Sequence, residues 1–383
     1  MDASAFAGRY RKASVMVTGH TGFKGAWLSL WLQEMGARVI GYALDPPLEG
    51  SLFETCCLGE RLVDLRGDVR DVDHLERAIR AHRPELIFHL AAQPIVRTAF
   101  TARTYTFDVN VMGTVNVLEA ALQCEDVRAV LVVTSDKCYR NLASESRYRE
   151  GDELGGTDPY SASKACAELA ALAYRAEAVQ LAADRETALA IATARAGNVI
   201  GGGDWAVDRL IPDTVRAIVG EAPLVLRYPA ARRPWQHVLE SLSGYLCLGA
   251  RLADEPQQLA GAFNFGPAEG DDIFVLDVVN AMLSQWPAPA HSVTVAPDAS
   301  AVEPLLLAVD SSKARHRLGW RPVWNVDRAI LESVRWYRAY CLADTQDMYA
   351  LSREQISSYV RDAADRQIAW AAPASRPEAG SQD

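Results

Sequence analysis

Short apolar runs alternate along the chain with longer segments whose apolar residues recur at helical spacing. Ser14–Val17 is such a run, and Gly25–Met35 then follows with apolar side chains on one helix face and Gly36 at its end. The same alternation predicts strands at Ser14–Val17, Arg38–Leu44, Glu85–Leu90, Ala129–Val133 and Ala188–Ala194, and helices at Gly25–Met35, Val72–His82, Asn110–Leu122 and Tyr160–Ala178. Strands that alternate with helices are typical of βαβ units, so we predict an α/β fold with a Rossmann-type, doubly wound parallel sheet.

The pattern changes near Asn198, where three consecutive glycines introduce a segment with more Pro and Trp. A chain of 383 residues also exceeds the roughly 250–300 residues that one hydrophobic core accommodates. We therefore predict a smaller α/β domain interleaved with the first. The predicted Rossmann domain is 13–197 with a return segment at 236–264, the second domain is 198–235 and 265–345, and 346–383 forms a C-terminal helix and a disordered tail.

Composition narrows the expected partners and location. The formal net charge of -10 argues against a nucleic-acid partner, which requires a basic face. The N-terminus does not resemble a signal peptide, and no run of about 18 apolar residues is present, so we expect no membrane association and a cytoplasmic protein. The seven cysteines contain no CxxC pair, so we expect reduced thiols and no metal site.

A glycine-rich loop joins the first predicted strand to the first predicted helix. Its glycines are spaced G-x-x-G-x-x-G within Gly19, His20, Thr21, Gly22, Phe23, Lys24 and Gly25. In this context the first glycine allows a tight turn, the second allows close approach of a pyrophosphate, and the third allows close packing of helix and strand. The helix N-terminus favours phosphate as well. We therefore predict dinucleotide binding by the Rossmann domain.

An acidic residue after the second predicted strand favours NAD over NADP. Asp45 lies about 20 residues after the loop, where a carboxylate binds the adenosine ribose hydroxyls. Two observations leave NADP open: Lys24 is a candidate for a 2′-phosphate, and Asp45 precedes Pro46 and is also suited to a plain turn. Asp68 and Val69 are expected beside the adenine, and Leu90, Ala91 and Ala92 beside the pyrophosphate, although close packing alone also explains the two alanines.

Two further segments carry candidate catalytic groups. Tyr160 and Lys164 are four residues apart, so they share one face of a helix, and a nearby ammonium is expected to lower the pKa of the phenol so that it acts as a base. Ser135, Asp136 and Lys137 follow the strand Ala129–Val133, and residues at the carboxyl end of a parallel strand line the ligand crevice. The adjacent Asp and Lys are candidates for acid and base, whereas the alternative is a surface ion pair in a turn.

These motifs together resemble the extended short-chain dehydrogenase/reductase superfamily. Within it, the chain from about Ser14 to Tyr340 resembles the CDP-glucose 4,6-dehydratase family. The resemblance is carried by five segments: His20–Gly25, His89–Pro94, Thr134–Tyr139, Arg195–Trp205 and Arg233–Val238. The Asp136–Lys137 pair is the most specific feature, because the related dTDP-glucose dehydratases carry Asp-Glu at that place.

The resemblance implies a hydro-lyase that converts CDP-glucose to CDP-4-keto-6-deoxyglucose and water with tightly bound NAD. Tyr160 would take the 4-hydroxyl proton, Lys137 the carbon 5 proton, and Asp136 would protonate the departing 6-hydroxyl. Ser135 would polarise the 4-oxygen, and Lys164 would hold the nicotinamide ribose. The family pattern also assigns Gln93 and Thr134 to the cofactor site, and Gln93, Arg97, Ser135, Asn198, Arg209, Arg233 and His237 to the substrate.

The sequence leaves other interpretations of the function open. Ala301–Leu307 departs from the family pattern in the domain that would select the nucleotide, so a 4,6-dehydratase or 4-epimerase acting on a dTDP-, UDP- or GDP-linked sugar is the second interpretation. A non-catalytic NAD-binding protein is the third, and it conflicts with the complete catalytic set. In related proteins, helices such as Tyr160–Ala178 pair between subunits, so we expect a homodimer or homotetramer.

Overall fold

The computed structural model describes residues 5–46, 48–141, 146–181, 188–220, 224–226, 228–286, 293–295, 307–342 and 347–371. In these ranges the strands are β1 (Ser14–Thr18), β2 (Arg38–Ala43), β3 (Val63–Arg66), β4 (Leu86–His89), β5 (Ala129–Val133), β6 (Ala190–Ala196), β7 (Val199–Ile200), β8 (Leu224–Leu226), β9 (Arg232–Pro234), β10 (Gln236–His237), β11 (Ala262–Phe265), β12 (Asp272–Phe274) and β13 (Val293–Val295). Seven of them form one sheet in the order β11-β6-β5-β4-β1-β2-β3.

The α-helices follow the strands in alternation, as the sequence predicted. They are α1 (Phe23–Glu34), α2 (Leu52–Thr55), α3 (Val72–His82), α4 (Val96–Thr101), α5 (Arg103–Phe107), α6 (Gly113–Leu122), α7 (Pro159–Leu181), α8 (Leu210–Val219), α9 (Val238–Leu252), α10 (Pro256–Leu259), α11 (Val275–Ser284), α12 (Ser312–Leu318), α13 (Val326–Leu342) and α14 (Met348–Asp365). The predicted helix at Asn110–Leu122 differs in one respect, because a π-helical turn at Asp108–Met112 precedes α6.

All neighbouring strands of the large sheet are parallel. Helices α3, α6 and α7 pack on one face of it, and α1 and α9 pack on the other. The prediction of a Rossmann-type, doubly wound parallel sheet is therefore confirmed. The strand order reverses between β1 and β4, so the loops that follow these two strands diverge and leave a crevice at their carboxyl ends.

The chain beyond β6 alternates between the large sheet and smaller ones. After β7 to β10, helix α9 packs against β5 and β6, and β11 then joins the large sheet beside β6. The smaller pairings are β7 with β10, β8 with β13, and β9 with β12. Helix α14 packs on α1 and α13, within the same apolar core as the large sheet. The predicted domain boundaries stay a prediction, and residues 372–383 of the predicted tail lie outside the described ranges.

Two further findings concern membrane-spanning helices and cysteines in the described part of the chain. None of its helices combines the length and the apolar character needed to cross a membrane. All seven cysteines are free thiols, and four of them are buried.

Candidate active site

A cleft of about 1310 Å³ opens at the carboxyl ends of the central strands. Most of the residues singled out from the sequence line it. They are Gly19, Thr21, Gly22, Phe23, Lys24, Gly25, Asp45, Asp68, Val69, Leu90, Ala91, Ala92, Gln93, Arg97, Thr134, Ser135, Asp136, Lys137, Tyr160, Lys164, Asn198, Arg209 and Arg233. Segments that are far apart in the chain therefore meet in one cleft, as expected for strands whose carboxyl ends share one edge of a sheet.

Two predicted residues, His20 and His237, do not line this cleft. The His20 ring lies under Gly41, where a Cβ would overlap it, and its Nε2 is 2.8 Å from Asp64 Oδ1. The His237 ring packs edge-on against Trp27 and its Nδ1 accepts from the Leu239 amide at 3.4 Å, at the start of α9. Burial lowers the pKa of His237 to about 3, so the ring is neutral. Both histidines support the walls of the cleft from behind.

The glycine loop has the close contacts that its spacing predicts. Gly19 has φ +76°, and a Cβ there would come within 2.7 Å of the Ala91 amide nitrogen. A Cβ at Gly25 would overlap the Gly19 carbonyl oxygen, because α1 starts directly above the turn. Only glycine fits at these two positions without displacing backbone. The resulting turn brings the N-terminus of α1 to the cleft.

The end of the cleft beside β2 and β3 contains the acidic residues that follow these two strands. The Asp45 side chain is 91% exposed and lies 3.8 Å from Arg66 Nη1. Asp68 is paired with Arg70 at 2.6 Å, and the hydrogen bond from Arg70 lowers the pKa of that carboxyl. No pattern along the chain indicated Arg66, because its link to Asp45 arises only when β3 pairs with β2.

The catalytic candidates meet where β5 ends against the first turn of α7. Ser135 and Asp136 follow β5 in a 3₁₀ turn at Asp136–Cys138, and the Asp136 carboxylate lies against Gly197, where a Cβ would be 2.8 Å from Oδ2. Lys164 Nζ donates to the Val133 carbonyl at 3.4 Å, and the Ser135 side chain acts to lower the pKa of Tyr160. The structure thus brings these groups together at one end of the large sheet. Their catalytic roles stay a prediction.

The direction of the Tyr160 pKa shift differs from the one expected from the sequence. Burial raises the pKa of Tyr160 to about 12, and Asp136 raises it further, while the Ser135 side chain and the charge of Arg209 oppose the rise. Burial also lowers the pKa of Lys164 to about 8, against the opposing effect of Glu168. Spacing on a helix indicated that Lys164 lowers the pKa of Tyr160, but the groups that oppose the rise are Ser135 and Arg209, and removal of the phenol from water outweighs them.

The Asp136–Lys137 pair is not a surface ion pair. Asp136 is 4% exposed, and burial raises the pKa of its carboxyl, although Lys137, Ser135 and Lys24 act in the opposite direction. The Lys137 side chain lines the cleft, and its backbone amide donates to Ser135 Oγ at 3.2 Å. A buried carboxyl with a raised pKa is suited to donate a proton.

Lys24 points toward these catalytic candidates. Its Nζ donates to Tyr245 Oη at 3.3 Å, and its charge interacts with Asp136 and Arg209. Burial, reinforced by Arg209, lowers the pKa of Lys24 to about 7. The expectation that Lys24 meets a 2′-phosphate is therefore not supported by its position. No local pattern indicated Tyr245, which reaches this site from α9.

A buried network behind the site was also missed. Glu168 accepts from Thr134 and Thr193, and it pairs with Arg195 at 2.7 Å. Glu168 lies one turn beyond Lys164 on α7, so the same i, i+4 spacing that joined Tyr160 to Lys164 was a signal for it. Losing one partner of such a buried pair costs about 3–5 kcal/mol. The network therefore holds α7 in place on β5 and β6.

The remaining candidates line the substrate side of the cleft. Gln93 is engaged at both ends of its amide, since Nε2 donates to Thr106 and Oε1 accepts from the Ile95 amide. Arg97 pairs with Asp208, and Arg209 pairs with Asp204, at 2.7 and 2.8 Å. Of the divergent segment, residues 301–306 lie outside the described ranges, and Leu307 is buried and lines the cleft.

Comparisons with known proteins agree with this arrangement. The family model described as GDP-mannose 4,6 dehydratase matches residues 16–332. A CDP-glucose 4,6-dehydratase of Salmonella typhimurium is 44% identical over 346 residues, which is 90% of this chain and 96% of the relative. Among solved structures, DesIV, a dTDP-glucose 4,6-dehydratase of Streptomyces venezuelae with NAD bound, covers 85% of this chain and 96% of its own, at 25% identity and a TM-score of 0.71.

A second solved structure, MoeE5 in complex with UDP-glucose and NAD, covers 86% of this chain and 99% of its own, also at 25% identity and a TM-score of 0.71. Sequence and structure thus point to the same group of proteins as the motifs did. The family model spans most of the chain, and the Salmonella relative matches nearly all of it, so the chain belongs to the GDP-mannose 4,6 dehydratase family.

Proposed function

We propose that this protein converts CDP-glucose to CDP-4-keto-6-deoxyglucose and water, as a hydro-lyase with NAD as its cofactor. The observation that carries the proposal is the presence, in one cleft, of Tyr160, Lys164, Asp136 and Lys137. An oxidation alone needs only the first two, whereas the elimination of water needs an additional acid and base. The 44% identity to a CDP-glucose 4,6-dehydratase supports the same substrate.

The cleft fits NAD at its glycine-loop end. The Cβ-free cradle formed by Gly19 and Gly25 leaves room for a pyrophosphate above the N-terminus of α1. Asp45 is exposed at the other end, where a carboxylate hydrogen-bonds ribose hydroxyls, and Lys24 is turned away toward Tyr245. Both observations favour NAD over NADP. Bound NAD supplies an acceptor for the hydride of carbon 4 and the donor that returns it to carbon 6.

Replacing Gly25 with alanine should therefore abolish NAD binding, because the new Cβ overlaps the Gly19 carbonyl oxygen and pushes α1 from the loop. Overpacking of this kind costs about 1–3 kcal/mol of stability as well. Calorimetric titration with NAD and thermal unfolding measure the two effects. Gly151→Ala is the matched control, since a Cβ there meets no heavy atom within 4 Å. Unchanged NAD affinity in Gly25→Ala would contradict the assignment of the loop.

In the first step, Tyr160 takes the proton of the 4-hydroxyl while hydride leaves carbon 4. Because burial raises the pKa of Tyr160 to about 12, the protein needs positive charge nearby to support the phenolate, and the charge of Arg209 acts in that direction. Lys164 lies beside the end of β5, four residues along the helix from Tyr160, where it suits the nicotinamide ribose. Ser135 donates to the 4-oxygen or to Asp136.

In the second step, water is eliminated across carbons 5 and 6. The 4-keto group acidifies carbon 5, and Lys137, whose side chain lines the cleft, takes that proton. Asp136 protonates the departing 6-hydroxyl, a role that suits the raised pKa of its carboxyl. Lys137 then returns its proton to carbon 5 as hydride reaches carbon 6.

We assign the nucleotide half of the substrate to the part of the cleft that Asn198 and Arg233 line. Arg233 and Asn198 suit the diphosphate, because a guanidinium binds two phosphate oxygens at once. Arg97 and Arg209 line the same region, although each is paired with an aspartate. His237 is a weaker candidate, since it lies behind the wall of the cleft.

A substrate panel tests the proposal. The purified protein with NAD is incubated separately with CDP-, dTDP-, UDP- and GDP-glucose, and the 4-keto-6-deoxy product is measured by its absorbance in alkali. We expect turnover with CDP-glucose at a kcat/KM at least tenfold above the others. A preference for another nucleotide would support the second interpretation, and CDP-galactose as product would show an epimerase instead.

We also propose that the protein is a cytoplasmic homodimer or homotetramer. On α7, Leu169, Leu172 and Val179 are 53%, 55% and 70% exposed, and Met112 before α6 is 49% exposed. An apolar face of this kind favours contact with a second copy. The seven free thiols suit a reducing compartment. Light scattering coupled to size exclusion measures the mass, and a monomer at micromolar concentration would contradict the proposal.

A further inference from the structure

One buried ion pair contacts both elements that carry the proposed chemistry. Glu168 on α7 and Arg195 on β6 are paired at 2.7 Å, and the two residues are 4% and 3% exposed. Glu168 lies one turn beyond Lys164 on the same helix. The other element is the turn at residues 135–138, called here the β5 turn, which carries Asp136 and Lys137. The pair therefore lies between the helix of the oxidation step and the turn of the elimination step.

The pair holds the β5 turn at both of its ends. Before the turn, Thr134 Oγ1 donates to Glu168 Oε1. After the turn, Arg195 Nη1 donates to Tyr139 Oη at 2.8 Å, and Arg195 Cζ lies 4.8 Å from the centroid of the Tyr139 ring. Tyr139 Oη in turn donates to Asn264 Oδ1 on β11 at 2.7 Å. The residues between these two ends are thus fixed relative to the ion pair.

The chemistry of the two charged groups makes this link rigid. The planar guanidinium of Arg195 presents its donors in a fixed fork, so Nη2 contacts Glu168 while Nη1 contacts Tyr139. Both carboxylate oxygens of Glu168 are engaged as well, because Oε2 also accepts from Thr193 Oγ1 at 2.8 Å. A buried charge keeps its partners because separation from them leaves it without solvation. The β5 turn therefore has little freedom to shift against α7.

The proposed reaction depends on the separation of these two elements. Tyr160 and Lys164 on α7 act at carbon 4 of the sugar, whereas Lys137 and Asp136 on the β5 turn act at carbons 5 and 6. A misplacement of about 1 Å can cost about 100-fold in rate, even when the altered residue lies far from the reacting atoms. Both groups act on one bound sugar only if the turn and the helix stay in register.

We propose that Glu168 and Arg195 are positioning residues that set the separation between the oxidation groups on α7 and the acid and base on the β5 turn. Neither residue lines the cleft, so they act through Thr134 and Tyr139. The positioning role rests on the proposed function, which assigns the two steps to the two elements. Weakening the link at the end of the turn therefore slows the elimination of water more than the oxidation.

Tyr139→Phe weakens the link at the end of the β5 turn that follows Lys137. The ring and its stacking on Tyr148 are kept, but the hydroxyl that accepts from Arg195 and donates to Asn264 is lost. The full-length variant with NAD is mixed rapidly with CDP-glucose, and both the absorbance of reduced NAD and the quenched 4-keto-6-deoxy product are followed. Reduction of NAD should keep its rate within about twofold, whereas product formation should be about tenfold slower, with little change in KM.

Tyr359→Phe is the matched control. The Tyr359 hydroxyl is buried, donates to Glu240 at 2.9 Å and lies 3.0 Å from Ser243 Oγ, among residues that do not line the cleft. This variant also loses the two hydrogen bonds of a buried phenol, so it shows what a loss of stability does by itself. Its thermal unfolding should shift to lower temperature, while both rates match those of the unaltered protein.

Arg195→Lys is the second variant, and it serves as the test if Tyr139→Phe does not fold. Its ammonium still pairs with Glu168 but lacks the second arm that reaches Tyr139, so the same selective slowing is expected. Product formation that slows no more than NAD reduction would overturn the positioning role, as would selective slowing in Tyr359→Phe. No product from the unaltered protein with CDP-glucose would instead refute the proposed function.

Discussion

Replacement of Tyr160 by phenylalanine is expected to abolish product formation from CDP-glucose and to leave NAD bound. The ring stays in its buried position, but the hydroxyl that takes the proton of the 4-hydroxyl is lost. A positioned base contributes about 10²–10⁴ to a rate, so we expect kcat to fall by about 1000-fold. The measurements are the alkali absorbance of the product and the NAD content of the purified protein.

Tyr174→Phe is the control for this prediction. Tyr174 lies on the same helix, and its hydroxyl donates to Glu119 at 3.0 Å, away from the residues that line the cleft. That variant should keep its turnover within about twofold, since substitutions away from such sites usually change stability by only about 0.5 kcal/mol. Near-normal turnover in Tyr160→Phe would refute the assignment of the base.

Replacement of Lys137 by alanine should stop the reaction after the oxidation. The 4-hydroxyl can still be oxidised, because Tyr160 and Lys164 are untouched, but no group is left to take the carbon 5 proton. We expect overall turnover to fall by about 10²–10⁴, in the range of a lost general base. Exchange of the carbon 5 hydrogen with deuterated solvent, followed by mass spectrometry, should disappear with it.

The control for Lys137→Ala is Lys12→Ala, which removes an exposed lysine outside the cleft. It should exchange and turn over like the unaltered protein. If exchange at carbon 5 persisted at its normal rate in Lys137→Ala, the base for the elimination would be another group. Asp136→Asn distinguishes the acid from the base, since it should keep the exchange but slow the loss of the 6-hydroxyl.

The fold could be predicted from the sequence because its signals are local. The apolar runs and helical spacings between Ser14 and Ala196 predicted the main strands and helices with shifts of a few residues. The glycine loop was predictable because its three glycines meet one another across a single turn. The position of Ser135 and Asp136 at the end of β5 placed them at the ligand edge of the sheet, since parallel strands all end there.

Other features depended on contacts between distant segments. His20 and His237 adjoin motif residues in sequence, yet their rings face Asp64 and Trp27 behind the cleft. Lys24 stands in the glycine loop, but its ammonium reaches Tyr245, which lies on α9. No spacing along the chain encodes which way such side chains turn, because the neighbours that decide it arrive from elsewhere in the fold.

The sequence by itself thus determined the doubly wound sheet, the glycine loop and the grouping of Tyr160, Lys164, Asp136 and Lys137, since each follows from periodicity or from the end of a strand. Only the tertiary structure decided the ionisation of these groups. Spacing on a helix predicted a lowered pKa for Tyr160, whereas burial raises it to about 12. The reason is physical: the loss of water around a group depends on every segment packed over it, and here that loss outweighs the opposing charge of Arg209.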